Sequence, residues 1–327
     1  MAFRGLVTSA VLAGMFGAMA MGQTAPQGTA LQDGEIAAVT ASLEKALQER
    51  YPFPEISAQW SKMLAEKTSS GAYKGMSACG LDKKLTEDLQ AVHKDVHLRV
   101  ICNEAKEERD KRSQRPNGEQ KNFGFEKVEL DADTETAYIQ SKGGWSSAQG
   151  TYEAAIASMN LAAHSKYIIL DLRDNGGGTG TVGRLLGSYL YNVGDEQYYL
   201  YGFEKDRTHD QQEWTYAYVP GPHMPDAKVY VLVNHKTASA TEGFAYAMQK
   251  LKRVTIVGQT TAGAGIAGGF AKLGSGTEWA FVPSKMIVAP HTEVGWEGVG
   301  VVPDVATKPG KEREKAMELI QADRATK

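Results

Sequence analysis

The chain has 327 residues, 42% of them hydrophobic and 23% charged, a balance that supports one large globular domain with a smaller one beside it. With 36 basic against 39 acidic side chains the net charge is −3, which offers no basic surface to nucleic acid. Two cysteines are too few for a thiolate zinc site, and no metal or cofactor is expected.

At the N-terminus, Arg4 precedes an apolar, small-residue stretch from Gly5 to Met21 that contains Ala18-Met19-Ala20, the small-x-small form of a signal-peptidase site. Polar, turn-rich sequence follows, so residues 1–22 read as a removed export signal rather than a membrane span, and 23–34 as a linker. The mature chain is expected outside the cytoplasm, periplasmic or extracellular. In that oxidising setting Cys79 and Cys102 are a candidate bridge contributing about 3 kcal/mol, with two buried free thiols as the other reading.

Three helices follow. Ile36, Val39, Leu43 and Leu47 recur at helical spacing until Pro52 and Pro54; Ile56, Trp60, Met63 and Leu64 mark a second stripe, and Leu81, Leu85, Leu89 and Val92 a third. They define a helical N-terminal domain over 35–105. His97 stands where this region turns into an alternating strand of Leu98, Val100 and Cys102, a place from which an imidazole can enter a cleft or serve as a hydrogen-bonded structural group. His93 and His97 are four apart, but no Glu adjoins His93 as HExxH requires.

Residues 106–122 read as a polar loop. From 123 to 310 strands alternate with helices, which predicts an α/β core domain on a parallel or mixed sheet. The buried strand 167–172 runs into Asp174-Asn175-Gly176-Gly177-Gly178, where successive glycines suit an oxyanion hole or a plain flexible turn. The spacing fits neither nucleotide-binding glycine motif. Residues 196–218 are aromatic and partly alternating, a hairpin that packs on the sheet or walls a cleft. The buried strand 229–233 stops at a polar turn, behind which Ser239 stands at the mouth of a helix, either as a nucleophile or as its cap. A strand at 254–258, a glycine- and threonine-rich loop over 259–269, strands at 279–282 and 285–289, and a charged tail over 311–327 complete the chain.

Four ordered stretches, LDLRDNGGG (170–178), VLVNHKTASATEGFAYAMQKL (231–251), VTIVGQTTAGAG (254–265) and WEGVGVVPD (296–304), resemble the core motifs of the tail-specific, or C-terminal processing, serine peptidases. The helical region followed by VHLRV (96–100) is similar to the branch containing the tricorn core and the interphotoreceptor retinoid-binding protein modules. The resemblance covers about residues 35 to 308. It implies a crotonase-like (ClpP/crotonase) α/β core with a small helical N-terminal domain as lid or platform. It also implies a polypeptide substrate.

Aligned residue by residue, the resemblance places the nucleophile at Ser239, the base at His97 and its supporting carboxylate at Glu297. Relatives with a Ser-Lys dyad carry a lysine where this chain has Ala264, and tricorn has a serine where it has Val96. The amide of Ala240 with one from Gly177 or Gly178 would bind the oxyanion, worth about 3 kcal/mol per donor in a comparable site. Gly176, Asn175 and Asp174 are the candidate substrate contacts. Lys236, in the turn before Ser239, is the residual lysine base and is expected in solvent; Arg173 and Asp174 could equally form a sheet-edge ion pair. Two functions follow from this scaffold: an exported serine endopeptidase acting on extended or C-terminal segments, or a non-catalytic binder of apolar, retinoid- or fatty-acid-like ligands. The sequence does not fix an oligomeric state.

Overall fold

The computed structural model describes residues 29–114, 121–205, 210–274 and 278–326. The expected export signal lies outside them. Gln32 and Glu35 form a capping box that starts α1 (Asp33–Arg50), the Glu35 carboxylate accepting the Gln32 amide at 2.8 Å. Pro54 opens α2 (Pro54–Ser69) at a position where its missing N–H is harmless. With α3 (Ala78–Val92) they bury the expected stripes, and the Trp60 indole donates to the carbonyl of Leu89 at 2.9 Å, tying α2 to α3.

Next come β1 (Arg99–Cys102) and α4 (Asn103–Gln114). The polar loop expected over 106–122 is therefore helical as far as Gln114. Eight of the twelve residues of α4 are Lys, Glu, Arg or Gln, good helix formers that can hold a helix without an apolar face. A disulfide joins Cys79 on α3 to Cys102 on β1, with Cα atoms 5.1 Å apart.

The remaining elements are β2 (Phe125–Asp131), β3 (Thr136–Ser141), β4 (Gly143–Trp145), α5 (Gln149–Leu161), β5 (Tyr167–Asp171), β6 (Asn175–Gly178), α6 (Gly180–Ser188), β7 (Tyr198–Glu204), β8 (Gln211–Trp214), β9 (Lys228–Val233), α7 (Ala240–Lys250), β10 (Val254–Gly258), β11 (Ile266–Leu273), β12 (Glu278–Val288), β13 (Val305–Ala306) and α8 (Glu312–Ala325). A six-stranded sheet runs in the order β13-β10-β9-β5-β3-β2, parallel except for the β2–β3 pair. Its central strands are apolar on both faces because both are covered. Ile168, Leu170, Val229 and Val231 pack with α5, α6 and α7, whereas Tyr167, Ile169, Tyr230 and Leu232 meet α8. The expected charged tail is this last helix. Ala316 and Ile320, four apart, are its fully buried apolar residues, with Met317 and Leu319 partly buried beside them, a short stripe that does not stand out in a helix half of whose 14 positions are charged.

A second, antiparallel sheet orders β1-β12-β7-β8, with β11 on the other edge of β12. The loop expected to last to Gly269 gives way to strand at Ile266. The two short strands expected at 279–282 and 285–289 are one, β12, which passes through Pro283 at an irregularity in its register with β11. Leu43, Leu47 and Trp60 share a core with Leu273, Ala280 and Val282, so the boundary at 105 divides the sequence but not the core. No described helix is long and apolar enough to cross a membrane.

Candidate active site

Ser239 sits at φ 54°, ψ −124°, a left-handed conformation that costs a residue with a side chain about 1–3 kcal/mol. What holds it there is Glu242, fully buried in the first turn of α7. One carboxylate oxygen accepts the amides of Ser239 (2.7 Å) and Ala264 (2.9 Å), and the other accepts the Gly263 amide (2.7 Å) and the Thr261 hydroxyl (2.5 Å). Burial pushes the Glu242 carboxyl above its ordinary pKa while these four bonds pull it back. All four partners are donors, so the ionised form is the one that fits. Ser239 occupies the N-cap position of α7 and also lines a cavity, so cap and candidate nucleophile are one residue.

The glycine turn lies directly against this serine. Fully buried Asn175 accepts the Gly177 amide (3.1 Å) and the Thr241 hydroxyl (2.7 Å), donates to Ser141, and its carbonyl takes the Ala238 amide (3.0 Å). Asn175 is thus a brace between β6 and α7 rather than a group open to substrate. A Cβ on Gly177 would fall 2.6 Å from the Ala238 carbonyl oxygen, 2.7 Å from Ser239 Cβ and 2.8 Å from the Ala240 amide nitrogen, at φ +93°. No other residue fits there. The Gly177 N–H is engaged with Asn175, which leaves Gly178 as the glycine lining the cavity beside Ser239 and Ala240. Ala240 is the first residue of α7, where an amide has no acceptor within the helix and the helix dipole favours developing negative charge.

Other expected residues lie elsewhere. Asp174 lines a separate cavity with Lys142, His235 and Glu312, and it approaches Lys236 at 3.6 Å. Lys236 is exposed, as expected, and its ammonium is turned to Asp174. Arg173 is ion-paired, but to Asp171 (2.5 Å) and Glu312 (2.6 Å) rather than to Asp174. Gly176 is exposed and is not among the residues lining the cavity at Ser239. Ala264 is buried and lines that cavity where a dyad lysine would stand.

His97 precedes β1, half-buried. Its backbone amide and that of Leu98 donate to Asp95 Oδ1 (2.8 and 3.1 Å), while the Tyr51 hydroxyl donates to Asp95 Oδ2 (2.9 Å). The imidazole tilts against Phe281 with centroids 5.8 Å apart, and Nδ1 is buried without a hydrogen-bond partner. Burial pushes the imidazole below its ordinary pKa, Asp95 opposing and Arg99 adding to the effect. It is therefore neutral at neutral pH, the state a base requires. Glu297 accepts the amides of Gly265 (2.5 Å) and Ile266 (3.0 Å) through Oε2. The expected Glu297–imidazole hydrogen bond is not among the described contacts, and the carboxylate is committed instead to the start of β11. His93 lies apart at the end of α3, edge-on to Trp60, and forms no ligand pair with His97.

Burial first, then the charges of Asp95 and Glu242, push the Glu297 carboxyl up to about 7. If hydrolysis needs Glu297 ionised and His97 neutral, activity falls on the acid side in two steps, the first near pH 7 and the second below the ordinary imidazole value of about 6.5. Glu297→Gln is expected to lower kcat/KM and to move the acid limb from about 7 to below about 6.5. An acid limb unmoved by the substitution in a kcat/KM–pH profile removes Glu297 from the titrating site. For stability the sign is reversed. A raised carboxyl pKa contributes fully below the ordinary glutamate value, and that contribution is lost as pH rises through about 7.

The cavity at Ser239, about 180 Å³, is walled by Tyr199, Leu200, Ile266, Ile287 and Trp296, and by Glu213 from β8. The aromatic hairpin thus both packs and walls the cleft. Glu242, Glu213 and Trp296 had no assigned role in the sequence reading. Only Glu242 left a trace there, three residues after Ser239 at capping-box spacing.

The sequence pattern of peptidase family S41 matches residues 135–307, more than half of the chain. The pattern described as the N-terminal domain of this family in eukaryotic IRBP matches residues 30–141. The chain is 34% identical over 98 residues to the tail-specific protease of Haemophilus influenzae, covering 30% of this chain and 13% of that one. It is 27% identical over 161 residues to the chloroplastic carboxyl-terminal-processing peptidase 1 of Arabidopsis thaliana, covering 48% and 31%. The chain thus matches less than a third of the length of either relative. The solved photosystem II D1 C-terminal processing protease shares the fold, with a TM-score of 0.58 at 14% identity over 89% of this chain and 98% of that one. With the two patterns together spanning residues 30–307, across the helices, the NGGG turn, Ser239 and Glu297, the chain belongs to peptidase family S41.

Proposed function

We propose that this chain is an exported serine endopeptidase that cleaves extended or C-terminal peptide segments, with Ser239 as nucleophile, His97 as base and Glu297 as supporting carboxylate. The core is read as crotonase-like. The observation that carries the reading is the setting of Ser239: a strained serine at a helix mouth, open to a cavity, with a glycine backbone packed against its Cβ. In this mechanism the Ser239 hydroxyl attacks the scissile carbonyl as its proton passes to the neutral His97 imidazole. The amides of Ala240 and Gly178 receive the oxyanion. The imidazolium then protonates the leaving amine, and water, deprotonated by His97, releases the acyl group. Because the described ring of His97 makes no hydrogen bond, its approach to Ser239 is completed by substrate or by closure of the helical region. Export is supported by residues 1–22 and by the Cys79–Cys102 bridge, a bond of oxidising compartments.

A second reading, an apolar-ligand binder on the same scaffold, is favoured by Ala264 in place of a lysine and by the unbonded His97 ring. A fluorophosphonate probe separates the two. Wild type is expected to be labelled and Ser239→Ala unlabelled; labelling that survives the substitution moves the nucleophile elsewhere, and an unlabelled, peptide-inert wild type with a co-purifying lipid supports the binder.

A further inference from the structure

We infer that Glu213 makes the cavity beside Ser239 a recognition pocket for a basic side chain, so that the peptides cleaved carry Lys or Arg at the residue donating the scissile carbonyl. The inference rests on the peptidase reading and names the substrate class of that site.

The register between β7 and β8 pairs Leu200 with Glu213. Directly opposed residues in an antiparallel pair project to the same face, and both line the cavity. Around them the wall is apolar: Ile266, Ala267, Ile287 and the Trp296 ring. Among the described residues the Glu213 carboxylate has no hydrogen bond or ion pair. The two cations whose charge reaches it are both engaged elsewhere. Arg184 donates to the Trp214 carbonyl and lies over the Tyr216 ring at 4.2 Å, and Lys285 donates to Gln211 at 3.2 Å. Burial accordingly pushes the Glu213 carboxyl above its ordinary pKa.

Two more polar groups on the same wall lack partners. The Tyr199 hydroxyl and the Trp296 indole N–H are both buried and both unbonded. A cavity with three unsatisfied polar groups beside a candidate nucleophile is built for the polar end of a ligand. Of the three, the unpaired carboxylate decides its sign, because a desolvated charge is far more costly than a desolvated dipole. An ammonium or guanidinium donates to Glu213, its methylene stem lies along Leu200 and Ile287, and the Trp296 ring offers a face to the cation. The indole N–H remains for a water or a substrate carbonyl. An apolar side chain would instead cover the half-buried carboxylate and leave it unpaired.

The test reads binding without turnover. Ser239→Ala protein is titrated with fluorescent product peptides identical but for a C-terminal Arg, Lys, Leu, Ala, Gln or Glu, and anisotropy is recorded. Arg- and Lys-ended peptides are expected to bind at least tenfold more tightly than Leu-ended ones, the gap closing when Glu213→Gln is added and inverting toward Glu-ended peptides with Glu213→Lys. Equal or tighter binding of Leu-, Ala- or Gln-ended peptides, or a gap that survives Glu213→Gln, overturns the inference. If fluorophosphonate still labels Ser239 in the wild type, that failure leaves the peptidase reading standing. Binding of no peptide together with no labelling overturns both.

Discussion

Ser239→Ala and His97→Ala are each expected to lower kcat for a cleaved peptide by about 10⁴- to 10⁶-fold, and the double variant to be no slower than the worse of the two. A serine hydroxyl and its base act as one unit: without the base the hydroxyl keeps its proton, and without the hydroxyl the base has nothing to activate. Their losses therefore do not add. The residual rate is what binding and the oxyanion amides supply alone. The comparison is sharpest for His97, because its ring packs on Phe281 with Nδ1 unbonded, a setting that also suits a structural histidine. A structural His97 gives a different result: a lower Tm, a modest change in kcat, and a double variant whose loss is the product of two unrelated effects. Initial rates on one peptide, with Tm measured for each variant, distinguish the outcomes.

Much of this arrangement can be read from the chain. The central strands are legible because they are apolar on both faces, and the three N-terminal helices because Ile36 to Leu89 repeat at helical spacing. Ser239 is legible because a buried strand, a polar turn and small residues announce it. What escapes is polar sequence whose burial is decided by distant chain. Glu242 reads as a surface residue of a short helix until Thr261, Gly263 and Ala264 surround it, and Glu213 reads as the polar face of a hairpin until β11, β12 and Trp296 close over it. Asn175 resembles a substrate contact beside three glycines, yet it is a fully buried brace. α8 escapes for a related reason, since a short stripe of Ala316, Met317, Leu319 and Ile320 suffices where a sheet face is already formed by Tyr167, Ile169 and Tyr230.

Glu242→Ala is expected to destabilise the fold by about 3–5 kcal/mol, since each buried donor left without an acceptor costs about 1–3 kcal/mol and relaxation recovers part of the sum. The alanine leaves four donors, the amides of Ser239, Gly263 and Ala264 and the Thr261 hydroxyl, without their shared acceptor in a site closed to water. It also frees Ser239 from the contact that holds its positive φ, so labelling by a serine-directed probe should fall even at temperatures where the variant is folded. Glu242→Gln separates charge from shape. Each carboxylate oxygen accepts two donors, so whichever one becomes an amide NH₂ meets two donors head-on. The glutamine variant should therefore lie between wild type and alanine in a urea titration. A glutamine variant as stable and as readily labelled as wild type means that no ionised carboxylate is needed there, and the strained serine must then be held by the Asn175 brace and the Gly177 contact alone.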